Sequence, residues 1–486
     1  MISIKKQRFS SLRLYLIFML LSLYAAGGYA REKPNIILIF ADDLGYTGLS
    51  SYGSRYYETP HIDKLAERGM KFTQGYACAT VCAPSRASLL SGQHTPRHGV
   101  LRVTNVPKSR NMEHMYEFVQ PLNKPFSTEI KTIAEALKEG GYTTGMFGKW
   151  HLGPTMPGAH GFDTWIESHG KHFNFTTIPK MDIPEGKYLT DFMTDHAIEF
   201  IKENRTKPFF LYLPDFLVHV PKEAKEELIK KYKGKEPDGG QRLPIYAAMT
   251  ESLDHSVGRI IDLLEELGLL ENTLLIFTSD NGASARTKPD GTPYLDKGLT
   301  SNFPLRDGKG LMFEGGLRVP YIFYWEGKIR PGTICEEPIV GLDLYPTLLE
   351  VAGIERHQSQ VLDGVSILQC LLDPTFKIPE RPLFWHYPNY GPASYKKGTV
   401  HYSYVPTDVV RLGDYKLLEY YHDSTLKLEL YNLKDDVGEL HNLAEEMPVK
   451  TEELYNLLNK WRENIGAQIP VPNPNFNPTK NLETAK

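Results

Sequence analysis

The chain has 486 residues, 41% of them hydrophobic and 23% charged, with a formal net charge of −4. That length supports two or three domains around a sizeable core, and a mildly acidic balance argues against general binding to nucleic acid or other polyanions. Four cysteines (Cys78, Cys82, Cys335 and Cys370) are too few for a disulfide scaffold and have no zinc-site spacing.

The first thirty residues read as a secretory signal. Lys5, Lys6, Arg8 and Arg13 precede an apolar run from Leu14 to Ala26, and Gly28-Tyr29-Ala30 supplies small residues for cleavage after Ala30. The run is too short for a convincing membrane span, and no second one follows, so no stable span is expected. Removing those four positive charges takes the net charge from −4 to −8. Attraction to a polyanionic substrate would then need a local positive pocket. Cys335 and Cys370 could pair in an oxidising compartment, but free buried thiols are the favoured expectation, and a Cys78–Cys82 bridge would consume the reactive thiol proposed below.

Pro34–Ala41 is a continuous apolar run of strand length, suited to a sheet covered on both faces. Similar runs recur at Tyr142–Phe147, Pro208–Leu213 and Thr273–Thr278, each following a helix-like stretch: Glu129–Glu139, Asp191–Asn204 and Tyr246–Leu267. The alternation predicts an α/β fold, a large mostly parallel sheet sandwiched by helices. From about residue 375 the texture changes to short strands at Leu383–Tyr387, Val409–Arg411, Tyr415–Tyr421 and Leu426–Leu433, then a helix over Thr451–Ile465 and a Pro/Asn-rich tail. The expected organisation is a signal (1–30), a catalytic α/β domain (31–374), a smaller antiparallel sheet plus helix (375–470) and a loose tail (471–486).

In parallel sheets ligands gather beyond the carboxyl ends of the strands. The first strand ends in Asp42-Asp43 and the fourth runs into Asp280-Asn281, so both pairs should reach one rim. Adjacent carboxylates repel unless a cation lies between them, and a set of hard oxygen ligands suits calcium, with magnesium second. Taken singly, such pairs are more often turns or helix caps. Cys82-Ala83-Pro84-Ser85-Arg86 opens a short predicted helix with Pro84 in its first turn and Gly92 at its end. Residue 82 would face that helix's positive pole.

Cys82-x-Pro-Ser-Arg86 resembles the signature of the type I sulfatases of the alkaline-phosphatase superfamily. Gly148-Lys149-Trp150-His151-Leu152-Gly153, His219-x-Pro221, Asp307-Gly308-Lys309-Gly310 and Phe313-Glu314-Gly315-Gly316-Leu317-Arg318-Val319-Pro320 follow in the family's order, and Gly161-Phe162-Asp163 and Asp343-Leu344-Tyr345-Pro346-Thr347 extend the likeness over most of residues 33–355. The resemblance implies that Cys82 is oxidised to formylglycine (3-oxoalanine), whose hydrate is the nucleophile. It implies calcium held by Asp42, Asp43, Asp280, Asn281 and an oxygen of residue 82, with Asp280 placed to take the attacking hydroxyl's proton. Lys149 and Lys309 would bind the sulfate, Arg86 would approach residue 82 from the next helical turn, His151 would lie near the hydrated aldehyde, His219 would protonate the leaving oxygen, and Ser168 is a further substrate contact by the loosest of these matches. Alternation along a strand could send Lys149 and His151 to one side.

The expected partners are a sulfated carbohydrate and a formylglycine-generating or anaerobic sulfatase-maturing enzyme. The expected address is periplasmic or secreted, or lysosomal in a eukaryote, where the sequons at Asn174 and Asn204 would matter. A phosphonate or phosphodiester hydrolase of the same superfamily, and a non-catalytic sulfated-glycan binder, are the competing readings.

Overall fold

The computed structural model describes residues 33–103, 116–295, 298–357, 359–391, 393–396, 399–421 and 427–477. The expected signal segment and the end of the tail lie outside the described residues.

An eight-stranded sheet forms the centre, with strands β1 (Asn35–Ala41), β2 (Met70–Phe72), β3 (Thr143–Gly148), β4 (Thr164–Glu167), β5 (Phe209–Pro214), β6 (Thr273–Ser279), β7 (Tyr321–Tyr324) and β8 (Thr333–Cys335). Their order across the sheet is β8-β2-β7-β6-β1-β5-β3-β4, and β7 alone runs antiparallel to its neighbours. β1 lies centrally, with Ile37 opposite Leu211 of β5 and Leu275 of β6. Its apolar run is explained by burial on both faces. Ile36, Leu38 and Phe40 enter one core with helices α2 (Cys82–Ser91), α3 (Ile133–Glu139) and α6 (Leu344–Ala352). Ile37, Ile39 and Ala41 enter the other with α1 (Pro60–Arg68), α4 (Leu189–Asn204) and α5 (Pro244–Glu266).

Helix α3 starts later than the amphipathic pattern from Glu129 suggests because Thr132 caps it. The Thr132 hydroxyl accepts from Glu135 N at 3.1 Å, and the Glu135 carboxylate accepts from Thr132 N at 2.7 Å.

The second sheet is antiparallel in the order β9 (Leu383–Tyr387), β10 (Thr407–Leu412), β11 (Tyr415–Tyr420) and β12 (Lys427–Asn432). Its strands alternate as a two-faced sheet requires. Trp385, Val409, Leu418 and Tyr431 join the large core, while Phe384, Val410, Leu417 and Leu430 pack on Leu454 and Leu458 of α8 (Pro448–Ile465). The small sheet is therefore fused to the large layer by a shared apolar face.

Within its described part, residues 471–477, the expected loose tail is held at its start. Val471-Pro472 pairs antiparallel with Phe118-Val119, and Asn473 Nδ2 donates to Tyr116 O at 2.9 Å. Backbone pairing ties down a segment whose composition alone suggested none.

Candidate active site at the carboxyl rim of the sheet

The rim is assembled from six distant stretches of chain, around residues 42–43, 82–86, 149–151, 219, 280–281 and 309. β1 ends in Asp42 and Asp43, and the backbone is pinned there: Asp42 N donates to Leu217 O at 2.8 Å and Asp280 N to Ala41 O at 3.0 Å. Asp43 adopts a left-handed φ of 62°, and its N–H donates to Asp280 Oδ1 at 3.1 Å. Such a conformation in a non-glycine residue costs about 1–3 kcal/mol and is characteristic of functional sites. It turns Asp43 beside Asp42 instead of leaving the two on opposite faces of an extended chain.

Cys82 is the first residue of α2, and all ten residues of that helix are buried. Gly92 ends it at φ 66°, the left-handed cap glycine provides without strain. The Cys82 sulfur lies 3.3 Å from Asp42 Oδ1 and 3.9 Å from Asp43 Oδ1. Burial, and then the Asp280 and Asp42 carboxylates, push its thiol well above the ordinary range. As an unmodified cysteine it is held protonated despite the helix N-terminus. This is an electrostatic setting ill suited to a thiolate nucleophile.

Three cations neutralise three carboxylates. Lys149 Nζ donates to Asp42 Oδ2 at 2.5 Å. Lys309 Nζ donates to Asp43 Oδ2 at 2.8 Å and lies 3.5 Å from the Cys82 sulfur. Arg86 sends Nε and Nη2 to Asp280 Oδ2 at 3.0 and 2.7 Å, and Nη1 to Lys149 O at 2.9 Å. Burial alone would raise the Asp42 pKa, but Lys149, His219, Arg86 and Lys309 together hold it well below the carboxylate range. Asp280, buried and facing Asp42, is pushed up to about 7. Three carboxylates at this spacing do not all ionise freely without added positive charge.

Asn281 gives the sharpest indication of what is accommodated. Its Nδ2 donates to Asp43 Oδ1 at 2.7 Å, while its buried Oδ1 has no hydrogen-bond partner. An orphaned buried acceptor is costly, and here it adjoins carboxylates and faces no donor. Asp42, Asp43, Cys82 and His219 present ligand atoms within 4.8 Å of one another. The carboxylate oxygens of Asp42 and Asp43, with Asn281 Oδ1 unpartnered nearby, are hard donors that fit a divalent cation of the calcium or magnesium class, while Cys82 presents sulfur and His219 nitrogen. Both oxygens of Asp280 already accept hydrogen bonds, so it is tied in more tightly than Asn281.

His219 Nδ1 donates to Val220 O at 2.7 Å, which directs Nε2 toward Asp43 Oδ2, 3.8 Å away. Burial lowers its pKa against the pull of Asp42 and Asp43. His151 reaches the site by a different route from strand alternation. Gly148 at φ 138° and His151 at φ 60° turn the chain sharply after β3. A side chain at 148 would meet Pro214 O at 2.0 Å, so only glycine permits that approach of the two strands. Burial, reinforced by Lys149, drives His151 down to about 2, and its Nδ1 is unpartnered. Ser168 is buried at the end of β4, but its hydroxyl donates to Thr176 O at 2.7 Å and supports that loop.

Sequence reasoning passed over the aromatic support of this ring. Phe216 stacks against His172 (centroids 4.7 Å apart) and lies 5.1 Å from the His219 ring, with Lys149 Nζ 5.4 Å from its centroid. His172 Nε2 hydrogen-bonds His219 O at 2.9 Å. His169, held by Glu167 at 2.6 Å, lies 5.7 Å from the His151 ring. In sequence such residues look like ordinary core. Only the paired histidines of Glu167-Ser168-His169 and Lys171-His172 gave a signal.

A mostly parallel sheet with carboxylates and cations clustered at its carboxyl rim is the setting of a hydrolase of the alkaline-phosphatase type. The sequence matches the family described as Sulfatase over residues 34–354, and N-sulphoglucosamine sulphohydrolase, C-terminal, over 306–465. It is 34% identical to a sulfatase of Formosa agariphila across 86% of each chain. It is 33% identical to human N-acetylgalactosamine-6-sulfatase across 74% of this chain and 69% of that one. Among solved structures, Ps i-CgsB in complex with k-i-k-neocarrahexaose superposes with a TM-score of 0.72 at 28% identity, covering 88% of this chain and 93% of that one. The chain belongs to the sulfatase family of the alkaline-phosphatase superfamily, and is a sulfuric ester hydrolase.

Proposed function

We propose that the enzyme removes sulfate from a sulfated glycan or its oligosaccharides, using residue 82 as formylglycine and a calcium ion at the rim. The observation that carries this reading is Cys82 itself, set at a helix start against Asp42 and Asp43 and under Lys309. The glycan assignment is supported by two similar proteins, one named for N-acetylgalactosamine 6-sulfate and one bound to a neocarrahexaose.

Asp42, Asp43, Asp280, Asn281 and residue 82 would hold the ion, magnesium being the second choice. The modified residue would supply a hydrated aldehyde as nucleophile, and the ion would polarise the sulfate and lower the nucleophile's pKa. The chain's own side chains would do the rest. Lys149, Lys309 and Arg86 place fixed positive charge around the transferring group, where a well-placed donor contributes about 3–4 kcal/mol. His219, with Nδ1 committed to Val220 O, carries a second proton on Nε2 only as the imidazolium, which suits proton delivery to the leaving oxygen. His151, held neutral, offers a hydrogen bond without adding charge. Ser168 serves the substrate only through the loop it braces.

The basic and apolar order of residues 1–30 supports export to the periplasm or medium, and a maturing enzyme must supply the oxidation of Cys82. Among the described residues no helix is long and apolar enough to cross a membrane.

The test measures sulfate release from a panel of sulfated mono- and oligosaccharides beside aryl sulfate and aryl phosphate, with mass spectrometry of the residue-82 peptide. The expected result is sulfate release and an aldehyde in place of the thiol. A higher rate on phosphate esters would favour the phosphonate or phosphodiester reading, and an unmodified cysteine in the native host would favour a glycan binder.

A further inference from the structure

Cys335 closes the edge strand β8, and Cys370 lies in the short helix α7 (Leu368–Leu372). Both are buried, and their sulfur atoms are 3.3 Å apart across 35 positions of sequence. The other two cysteines behave differently. Cys82 faces the rim carboxylates. Cys78 is buried against Gly341, where an added Cβ would meet its sulfur at 2.7 Å. Among the described residues Cys335 and Cys370 form the only close thiol pair.

We propose that these two thiols are oxidised to a disulfide in the exported enzyme, and that the bond braces the nucleophile helix. The two sulfur atoms are in contact, so either thiol can attack first, Cys335 for instance. Its thiolate attacks one sulfur of a disulfide oxidant, of the thiol–disulfide oxidoreductase or glutathione-disulfide class. The Cys370 sulfur then displaces that sulfur from the mixed disulfide. Two protein thiols and one oxidant disulfide become one protein disulfide and two oxidant thiols, with protons and electrons balanced.

The loop that this bond closes carries α6 and then wraps the end of α2. Gln360 Nε2 donates to Ser91 O at 2.9 Å, Asp363 N to Gly92 O at 2.8 Å, and His94 N to Asp363 Oδ2 at 2.8 Å. Those contacts fix the far end of the helix whose first residue is Cys82. Closing a loop of this size limits the unfolded chain more than the folded one, so the bond is expected to act mainly on melting.

The proposal rests on an oxidising address but is testable without it. Enzyme made in a reducing cytosol and purified is treated with glutathione disulfide, denatured in alkylating reagent without reductant, and peptide-mapped. The expected product is a Cys335–Cys370 linked peptide pair, about 2 Da lighter than the two thiols, and a melting temperature several degrees above the dithiol form. The C335S/C370S double variant should melt with the dithiol form and keep wild-type kcat/KM on an aryl sulfate. Alkylation of both cysteines after oxidant treatment would overturn the bond. Equal melting of linked and unlinked enzyme would overturn the bracing role. Recovery of the linked pair directly from exported enzyme, with no added oxidant, would support the address as well. Because this readout involves no substrate, its failure is distinct from failure of the glycan reading.

Discussion

Two of the buried charge clusters among the described residues are finished differently. One joins the small sheet to the large layer. Glu314 accepts from Tyr76 Oη at 2.8 Å, Arg318 Nε at 2.7 Å and Lys416 Nζ at 3.0 Å, and its own N–H donates to the Glu439 carboxylate at 2.6 Å. Burial is overcome there by Lys416, Arg318 and Arg411, which hold Glu314 at about 2. The other cluster is the rim. It leaves Asn281 Oδ1 and His151 Nδ1 without partners, and keeps the Lys309 and His219 side chains 20% and 22% exposed. The structural cluster is sealed from solvent, with the Lys416 and Glu314 side chains 1% and 0% exposed, whereas the rim keeps unpartnered acceptors and lets its paired cations reach solvent.

That contrast can be broken by experiment. The largest effect is expected from C82A, which should lower kcat by about a thousandfold or more, as loss of a nucleophile does, while melting within a degree or two of wild type. A thermal melt beside a turnover assay checks both halves. K309A should cost about a hundredfold or more in kcat/KM with a small change in stability, because its charge serves an open site. K416M should do the reverse. Stranding Glu314 and Glu439 in the interior should cost roughly 3–5 kcal/mol in denaturant unfolding, with normal turnover per folded molecule. If K309A proved the more destabilising of the two, the distinction between open and closed clusters would fail.

A smaller effect sharpens the same comparison through pH. His98 is buried against helix α2, its Nε2 2.8 Å from Ser88 Oγ, while Nδ1 accepts from Val100 N at 3.1 Å. Burial lowers its pKa to about 3, so the fold requires the neutral ring. The unfolded chain takes up this proton first, near pH 6.5. The contribution is therefore complete above that pH and declines by about 1.4 kcal/mol per unit as pH falls toward 3. Urea unfolding at pH 7.0 and 5.5 should show this loss, and H98Q should flatten it.

How much was legible in the sequence follows from the same physics. The four long strands β1, β3, β5 and β6 announced themselves because burial on both faces demands continuous apolar runs. The three-residue strands β2 and β8 and the antiparallel β7 were missed, since three or four residues carry no readable period. Asp42, Asp43, Asp280 and Asn281 were legible as polar pairs at or just beyond strand ends, and Cys82 as the start of a helix. The approach of His151 was anticipated for the wrong reason. It depends on backbone angles at Gly148 and His151, not on alternation. Phe216 was invisible, and His172 signalled only through its nearness to His169, because their work is to hold His219 and Lys149 from behind, and aromatic residues near a strand end otherwise signify packing.

The burial of residue 82 sets an order of events in the making of this enzyme. Only 1% of Cys82 is accessible in the folded chain, beneath Lys309 and flanked by Asp42. A second protein cannot seat its own catalytic groups on a sulfur so enclosed. If residue 82 is oxidised as proposed, the oxidising enzyme would have to meet the polypeptide before the rim closes. On that reading, chains that fold first would keep a buried thiol at this position.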